Sequence, residues 1–518
     1  MSYGAGSARS SAGRARLAAL LLGVAFATAA PNARAAPDDV EAPLIVGNVA
    51  ELDLDRVREL TSAIDPVTRD LTMLSADDDG AQPIGLQDAV EVALLNNVLL
   101  QIARLERNAV SHEVPAARAI FHPTTGLAVG ASGSDRGGSS DLKSALAIIR
   151  QEIPTGATLT LETDYVDSDV VDDDRRRDGG LEVALRQPLM RGGRIYVATR
   201  AILDAGYDYD AQDARFESEM LRVMRDAKVA YYESILAARL IDVTAAAVER
   251  AQRLIEASEA LFTAARASRR DVVSAQIRLS DNLSDLATRQ ANLRQARLFL
   301  RDVLGLPLSD IVKPVEASVP FEPVPFRESD WVERAIRDRP EMRELRARLE
   351  QTDLAVRVSS NDVLPRLDAL GSYRREDDED DLTRSYALSA ETWRVGLEFE
   401  IPFGNVAARE RFSAARLRYD RSERELALTR RAIEREVRSQ VIELHRSLAE
   451  VTSQADKVEQ SRDKLAVALA RYRQGVSDNL DVTDAQQDLL DAETDLLRAI
   501  FDYTNGLVRL EASIAGPL

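Results

Sequence analysis

Two long stretches, Ile195 to Ala264 and Ala407 to Gln474, set apolar residues at helical spacing, contain no proline and are rich in Ala, Arg, Glu and Leu. These are strong helix formers, and at 1.5 Å per residue each stretch makes a rod of roughly 105 Å. Two shorter stretches share the pattern: Leu86 to Ala119, with Ala89, Val90, Ala93, Leu94, Asn97 and Leu100 on its period, and Asp271 to Leu304. Stacked end to end, the two short helices reach the length of one long rod. Rods this polar gain little from water alone, so their Ala and Leu stripes should pack against neighbours as in coiled coils. Elsewhere the period drops to two. Trp393, Val395, Leu397, Phe399 and Ile401 alternate with Arg394, Glu398 and Glu400, and Leu181, Val183 and Leu185 alternate with Glu182, Ala184 and Arg186, which predicts strands. Weaker strands read at Leu127 to Ala131 and Leu367 to Tyr373, with charged loops at Asp172 to Asp178 and Glu376 to Asp381. An additional hairpin reads at Ala145 to Ile153 and Ala157 to Tyr165, joined by Pro154-Thr-Gly156; it either extends the same wall or folds outside it.

The pattern is duplicated. Tyr472 to Gln486 repeats Phe262 to Gln276 at an offset of 210, pairing Asp481-Val482 with Asp271-Val272, Ala485-Gln486 with Ala275-Gln276, and Gly475 with Ala265. Each copy should break one helix at its small residue and start the next at Asp481 or Asp271, acting as an N-cap. At an offset of 242, Val90 pairs with Val332, Ala93 with Ala335, Leu100 with Met342 and Pro123 with Pro365. A residue before proline is driven out of helical geometry, so both helices end there and strands follow. Pro188 and Pro402, 214 apart, close the last strand of each copy. Only the additional hairpin lacks a counterpart.

Composition narrows the class. A formal charge of −19 with no basic stripe opposes nucleic acid. Zero cysteines exclude disulfides, thiolate metal sites and a cysteine-linked lipid, while three histidines without metal spacing (His112, His122, His445) leave no catalytic constellation. Arg9, Arg14 and Arg16 precede the apolar run Leu17 to Ala30, and Ala33-Arg-Ala35 offers a cleavage site, so residues 1–35 read as a secretory signal peptide. Its loss, with Arg34, takes the charge to −23. Residues 36–82 read as an N-terminal extension with a short helix near Asp55 to Ile64. No later apolar run approaches the ~20 residues of a membrane helix. Alternating strands also suit a soluble half-buried sheet; the export signal, the charge confined to one face and the aromatic Trp393 favour a membrane barrel.

Helix, proline, strands, Gln187-Pro-Leu-Met-Arg-Gly-Gly-Arg194, long helix, turn and a helix ending in Leu304-Gly305, repeated through Ile401-Pro-Phe-Gly404 and Gly475…Asp481-Val-Thr-Asp484-Ala485, resemble the TolC family of outer-membrane efflux proteins over residues 83 to 516. The resemblance implies an α+β membrane protein: a trimeric transmembrane β-barrel shared by the chains and continued by an α-helical periplasmic barrel. The first structural repeat is 83–308, the inter-repeat linker 309–327 and the second repeat 328–518. It implies a cell outer membrane location, contact with outer membrane lipid, no cofactor and no catalysis. The chain would be a homotrimer serving as the passive exit duct of a tripartite efflux or type I secretion system, joined through a periplasmic adaptor to an inner-membrane pump. The alternative class is a periplasmic coiled coil that forms no channel. Four strands cannot close a barrel; three chains give twelve, or eighteen if the additional hairpin joins the wall. Matched residue by residue, Asp481 and Asp484 stand at the pore constriction, and Asp271 and Tyr472 at a latch that holds neighbouring coils closed. Ser477 departs from the family's arginine there. Pro123, Pro188, Pro365 and Pro402 mark the barrel-helix junctions.

Overall fold

The computed structural model describes residues 82–134, 140–170, 174–307, 309–378 and 390–517. The expected signal peptide and the helix near Asp55 to Ile64 lie outside these residues, as does the extension except Gln82, which already belongs to a strand. Four rods run side by side. The two long ones are α5 (Arg200–Thr263) and α9 (Val406–Gln474). Along α5 the upper half is lined by α2 (Val98–Ser111) and the short α3 (Glu113–Arg118), with Arg107 2.7 Å from Asp213. The lower half is lined by α6 (Arg269–Leu304), where Asn282 donates to the Ala247 carbonyl. The second repeat builds the same pair from α8 (Pro340–Asp362) and α10 (Asn479–Ser513). The long interior stripes that hold the rods are small and aliphatic: Val437, Val441, Leu444, Val451 and Val458 on α9 meet Val482, Leu489, Ala492 and Leu496 on α10. Side-chain burial of about 1.5–3 kcal/mol per large aliphatic outweighs the weak intrinsic stability of such polar helices.

Two helix boundaries differ from the expectation. Leu86 to Ala119 is not one helix: α1 (Leu86–Asn96) stops and α2 starts anew at Asn97, whose side-chain oxygen accepts from the Leu99 and Leu100 amides. In the second repeat the break between α7 (Glu328–Asp338) and α8 falls at Arg339, 242 residues on, where Pro340 forces it. Likewise the long helix expected from Ile195 is interrupted at Thr199, leaving the single turn α4 (Ile195–Ala198) ahead of α5.

Among the described residues, six of the eight strands pair into one antiparallel sheet in the order β2-β3-β4-β5-β7-β8. Their ranges are Thr124–Ser134, Ser140–Glu152, Thr158–Val170, Asp174–Pro188, Arg366–Asp378 and Ala390–Glu400. The hairpin left open by the sequence is therefore β3 and β4, inside the sheet. The charged segments read as loops belong partly to strands, since β5 starts at Asp174 and β7 runs to Asp378; their remaining residues lie outside those described. Register aligns Ile149, Leu161, Val183, Tyr373 and Trp393 in one row on one face, and Arg150, Thr160, Ala184, Ser372 and Arg394 in the next row on the other. The apolar face is bare: Trp393, Val395 and Leu397 are 73%, 80% and 71% exposed. On the opposite face Asp368 is buried between Arg186 at 2.7 Å and Arg366 at 2.9 Å.

The linker girdles the rods at mid-height. β6 (Val312–Pro314) pairs in parallel with β1 (Gln82–Ile84), and the Tyr231 hydroxyl donates to the Ile84 carbonyl at 2.9 Å. Further along, the Thr504 hydroxyl donates to the Pro320 carbonyl, Phe321 packs edge-on to Tyr503, and Phe326 stacks on His445. Among the described residues no helix is long and apolar enough to cross a membrane.

Candidate functional site

At the tip each long helix ends in a left-handed residue. Gly475 has φ +73° and its counterpart Ala265 φ +58°; the following amides, Val476 and Arg266, bond back to the Arg471 and Leu261 carbonyls. Glycine adopts that geometry freely, whereas alanine is strained in it. The next helices are capped one turn earlier than expected. Ser268, not Asp271, is the N-cap of α6, with Asp271 completing a capping box back to the Ser268 amide and hydroxyl at 2.8 and 2.9 Å. Asp478, not Asp481, caps α10. Asp481 is therefore free of capping.

Asp481 and Asp484 are both exposed and lie three residues apart on one face of α10, while Val482, Thr483, Ala485 and Gln486 between and beside them are buried. The same face continues through Asp488, Asp491 and Asp495. Lys464 of α9 pairs with Asp488, and Lys457 with Asp495 at 3.0 Å. The Lys464 pKa is raised, first by its hydrogen bond to Asp488 and further by the charges of Asp484 and Asp481.

Tyr472 is 2% exposed, and its hydroxyl donates to Ser258 Oγ at 2.8 Å, a bond between α9 and α5 of one chain. Its partner within the chain is Ser258 and not Asp271, whose carboxylate is held by Ser268. Burial raises the Tyr472 pKa, the Ser258 bond opposes it, and the Asp271 charge adds to the rise. More polar links join the two coils along the same seam. Asn479 Nδ2 donates to the Asp271 carbonyl at 2.6 Å, Arg278 to Gln487 at 3.0 Å, and Gln486 to the Arg250 carbonyl at 3.3 Å. Glu493 bridges Arg250 of α5 at 3.5 Å and Arg462 of α9 at 3.4 Å, and burial lowers the Arg250 pKa against that attraction. Ser258, Arg250, Glu493 and Asn479 were not singled out from sequence. Their signal was a polar residue at a buried position of an otherwise apolar period, which shows only once the rods are paired.

The four prolines sit where strand meets helix: Pro123 between a short 3-10 turn and β2, Pro188 as the last residue of β5, Pro365 just before β7, and Pro402 between β8 and α9. The turn after Pro188 is pinned by α8. Asn361 accepts from the Gly192 amide at 2.8 Å and donates to the Met190 carbonyl at 3.2 Å, while Arg191 Nε donates to the Leu364 carbonyl. Among the described residues no group of three or more histidine or acidic side chains is placed to hold a metal ion. The tip and the junction position backbone and charge.

A family model described as "Outer membrane efflux protein" matches residues 89–306 and 331–516. The alkaline protease secretion protein AprF of Pseudomonas aeruginosa is 24% identical over 61% of this chain and 68% of its own length. The proteases secretion protein PrtF of Dickeya chrysanthemi is also 24% identical, over 80% of this chain and 85% of its own. Among solved structures, the outer-membrane channel OprN superposes with a TM-score of 0.64 at 19% identity, covering 83% of this chain and 90% of that one. The outer membrane protein VceC of Vibrio cholerae gives 0.62 at 17% identity, covering 83% and 96%.

Proposed function

The chain belongs to the outer membrane efflux protein family, a family of channels, and resides in the outer membrane with its helical part in the periplasm; from that premise we propose that it is the passive exit duct of a tripartite exporter of the type I secretion kind. Polypeptide is the cargo favoured here, because the two curated relatives carry protease secretion in their names. The observation that supports the duct most directly is the sheet: one face apolar and bare, the other charged, and β2 and β8 left as open edges. In lipid an unpaired strand edge costs several kcal/mol per unsatisfied group, so the edges must meet those of other copies. Three copies close one barrel, and their four rods each continue it as a periplasmic tunnel. A periplasmic adaptor and an inner-membrane pump supply the energy that the chain itself does not.

In this reading Asp481 and Asp484 of three chains ring the narrow tip, and the Tyr472–Ser258 bond with the Glu493 bridge keeps the two coils of each chain together there. Asp271 holds the turn rather than a neighbour. Detergent extraction of the membrane fraction followed by native mass spectrometry should return a trimer. A monomer in that fraction, or mature protein soluble in the periplasmic extract, would exclude the duct and leave the coiled-coil alternative.

A further inference from the structure

The duplicated plan supplies four strands and four rods per chain, one strand for each helix it joins: α3 leads into β2, β5 into α4, α8 into β7 and β8 into α9. The hairpin β3–β4 breaks that equality, since its lower turn, residues 153–157, has no helix beneath it. Yet it is built into the wall on both sides, paired to β2 and to β5 along its length. Its faces match its neighbours: Ile149 and Leu161 lie in the apolar row, Thr160 and Glu162 in the polar one. Two further contacts fix it. Arg374 of β7 reaches across β5 to Asp164 of β4 at 3.0 Å, and it can do so because Gly180 lies between; a Cβ there would stand 2.5 Å from Arg374 Nη2. At the lower end Gly156, at φ +85°, lets the turn sit on the Gly192 carbonyl, which a Cβ would approach to 2.4 Å, and Thr155 donates to Gln187 at 3.0 Å.

We infer that this hairpin is a circumference-setting insertion, which widens the outer-membrane aperture until it matches the helical tunnel below. The inference rests on the trimeric duct proposed above. With strands 4.8 Å apart and tilted by about 40°, twelve strands enclose a backbone radius of about 12 Å and eighteen about 18 Å. Twelve rods spaced 8–10 Å apart form a ring of about 17 Å. A twelve-stranded barrel would narrow the passage at the junction. The eighteen-stranded one leaves it level, and an extended or partly folded polypeptide leaves without a second constriction.

The chain has no cysteine, so single-cysteine variants of the full protein label at one place. Fluorophores at Ile149→Cys and Leu161→Cys should be quenched by brominated lipid in outer-membrane proteoliposomes, and those at Thr160→Cys and Glu162→Cys only by a water-soluble quencher. Lipid quenching at none of the four would overturn the inference, because the hairpin would then stand outside the wall. Neutral polymers added from the outer side should enter the full protein up to a radius about 1.5-fold larger than they enter a variant in which a short Gly-Ser loop replaces residues 135–173. Equal cut-offs would also overturn it. If the shortened chain does not assemble, the labelling of the full protein decides. Copy number is read on the same samples by native mass spectrometry: a number other than three defeats the trimeric duct while lipid contact at Ile149 and Leu161 still places the hairpin in the wall.

Discussion

The two repeats solve the same backbone problem with different side chains. Where the upper helix breaks, Asn97 donates to the Val303 carbonyl at 2.9 Å in the first repeat, and Arg339 donates to the Ser513 carbonyl in the second. Donors are 242 apart and acceptors 210 apart, the offsets read from sequence. Where helices end, the left-handed position is Ala265 at the first tip turn and Gly475 at the second, but Gly305 after α6 and Ala515 (φ +55°) after α10. What has been kept is the geometry of each break and turn, while the residue that satisfies it has drifted. The second repeat took the costlier solution at the break. A buried guanidinium needs an anion, and Glu436 provides it through two hydrogen bonds of 2.8 Å.

The largest expected effect follows from that difference. Arg339→Ala should destabilise the assembly by about 3 kcal/mol, through loss of the carbonyl and carboxylate bonds and an emptied buried site, whereas Asn97→Ala should cost about 1 kcal/mol. Thermal unfolding of the two variants side by side measures this, and equal losses would mean that the repeats do not differ at the break. Second, Asp484 corresponds to Ser274, so the pair of acids beside the turn, Asp481 and Asp484, has no counterpart at the first repeat's turn. Asp481→Ala with Asp484→Ala should abolish cation preference and weaken block by trivalent ions about tenfold in planar bilayers, since confined carboxylates concentrate cations. Unchanged block would remove these residues from the constriction.

The break in the second repeat also carries a pH dependence. The Arg339 hydrogen bond holds the Glu436 pKa below its ordinary 4.5, burial opposing. A depressed folded pKa stabilises above the unfolded value and loses that contribution as pH falls through the folded one. Stability should therefore drop below about pH 4.5, by under about 1 kcal/mol because Glu436 is half exposed, and Arg339→Ala should flatten this part of the melting-temperature profile. A wild-type slope that survives in that variant would assign it elsewhere. Tyr472 corresponds to Phe262, so Tyr472→Phe installs the first repeat's residue; losing the Ser258 bond should cost about 1 kcal/mol and raise open-channel events in bilayers. The smallest effect is at the turn: Ala265→Gly should stabilise by about 0.5 kcal/mol, with Gly475→Ala the opposite in sign. Reversed signs in chemical denaturation would contradict the strain assigned to Ala265.

Strands and duplication were legible because both are periodic: alternation in Trp393 to Ile401 survives any tertiary context, and a fixed offset needs no structure to be seen. Pro340 is a helix-breaking signal inside the stretch expected to run unbroken to Pro365, but Asn97 announced nothing, since an asparagine on a helical period reads as a polar helix residue until its side chain turns back onto the Leu99 amide. Ser268 with Asp271 is a readable capping box, but the duplicated aspartates point equally to a helix start at Asp271 itself. The Tyr472–Ser258 bond was illegible in principle. Its partners are 214 residues apart and meet only through the pairing of two rods.

The open edges of β2 and β8 also bear on inheritance. A ring closed head to tail needs every chain to offer both a sound β2 and a sound β8, so one faulty edge spoils the ring and not merely its own share of it. If half the chains made in a cell carried a damaged β8, random mixing into the proposed trimer would leave only about one ring in eight intact. A β8 lesion should thus behave as a dominant poison when expressed beside the normal chain. A lesion that prevents folding before the edges are displayed should behave as a silent loss.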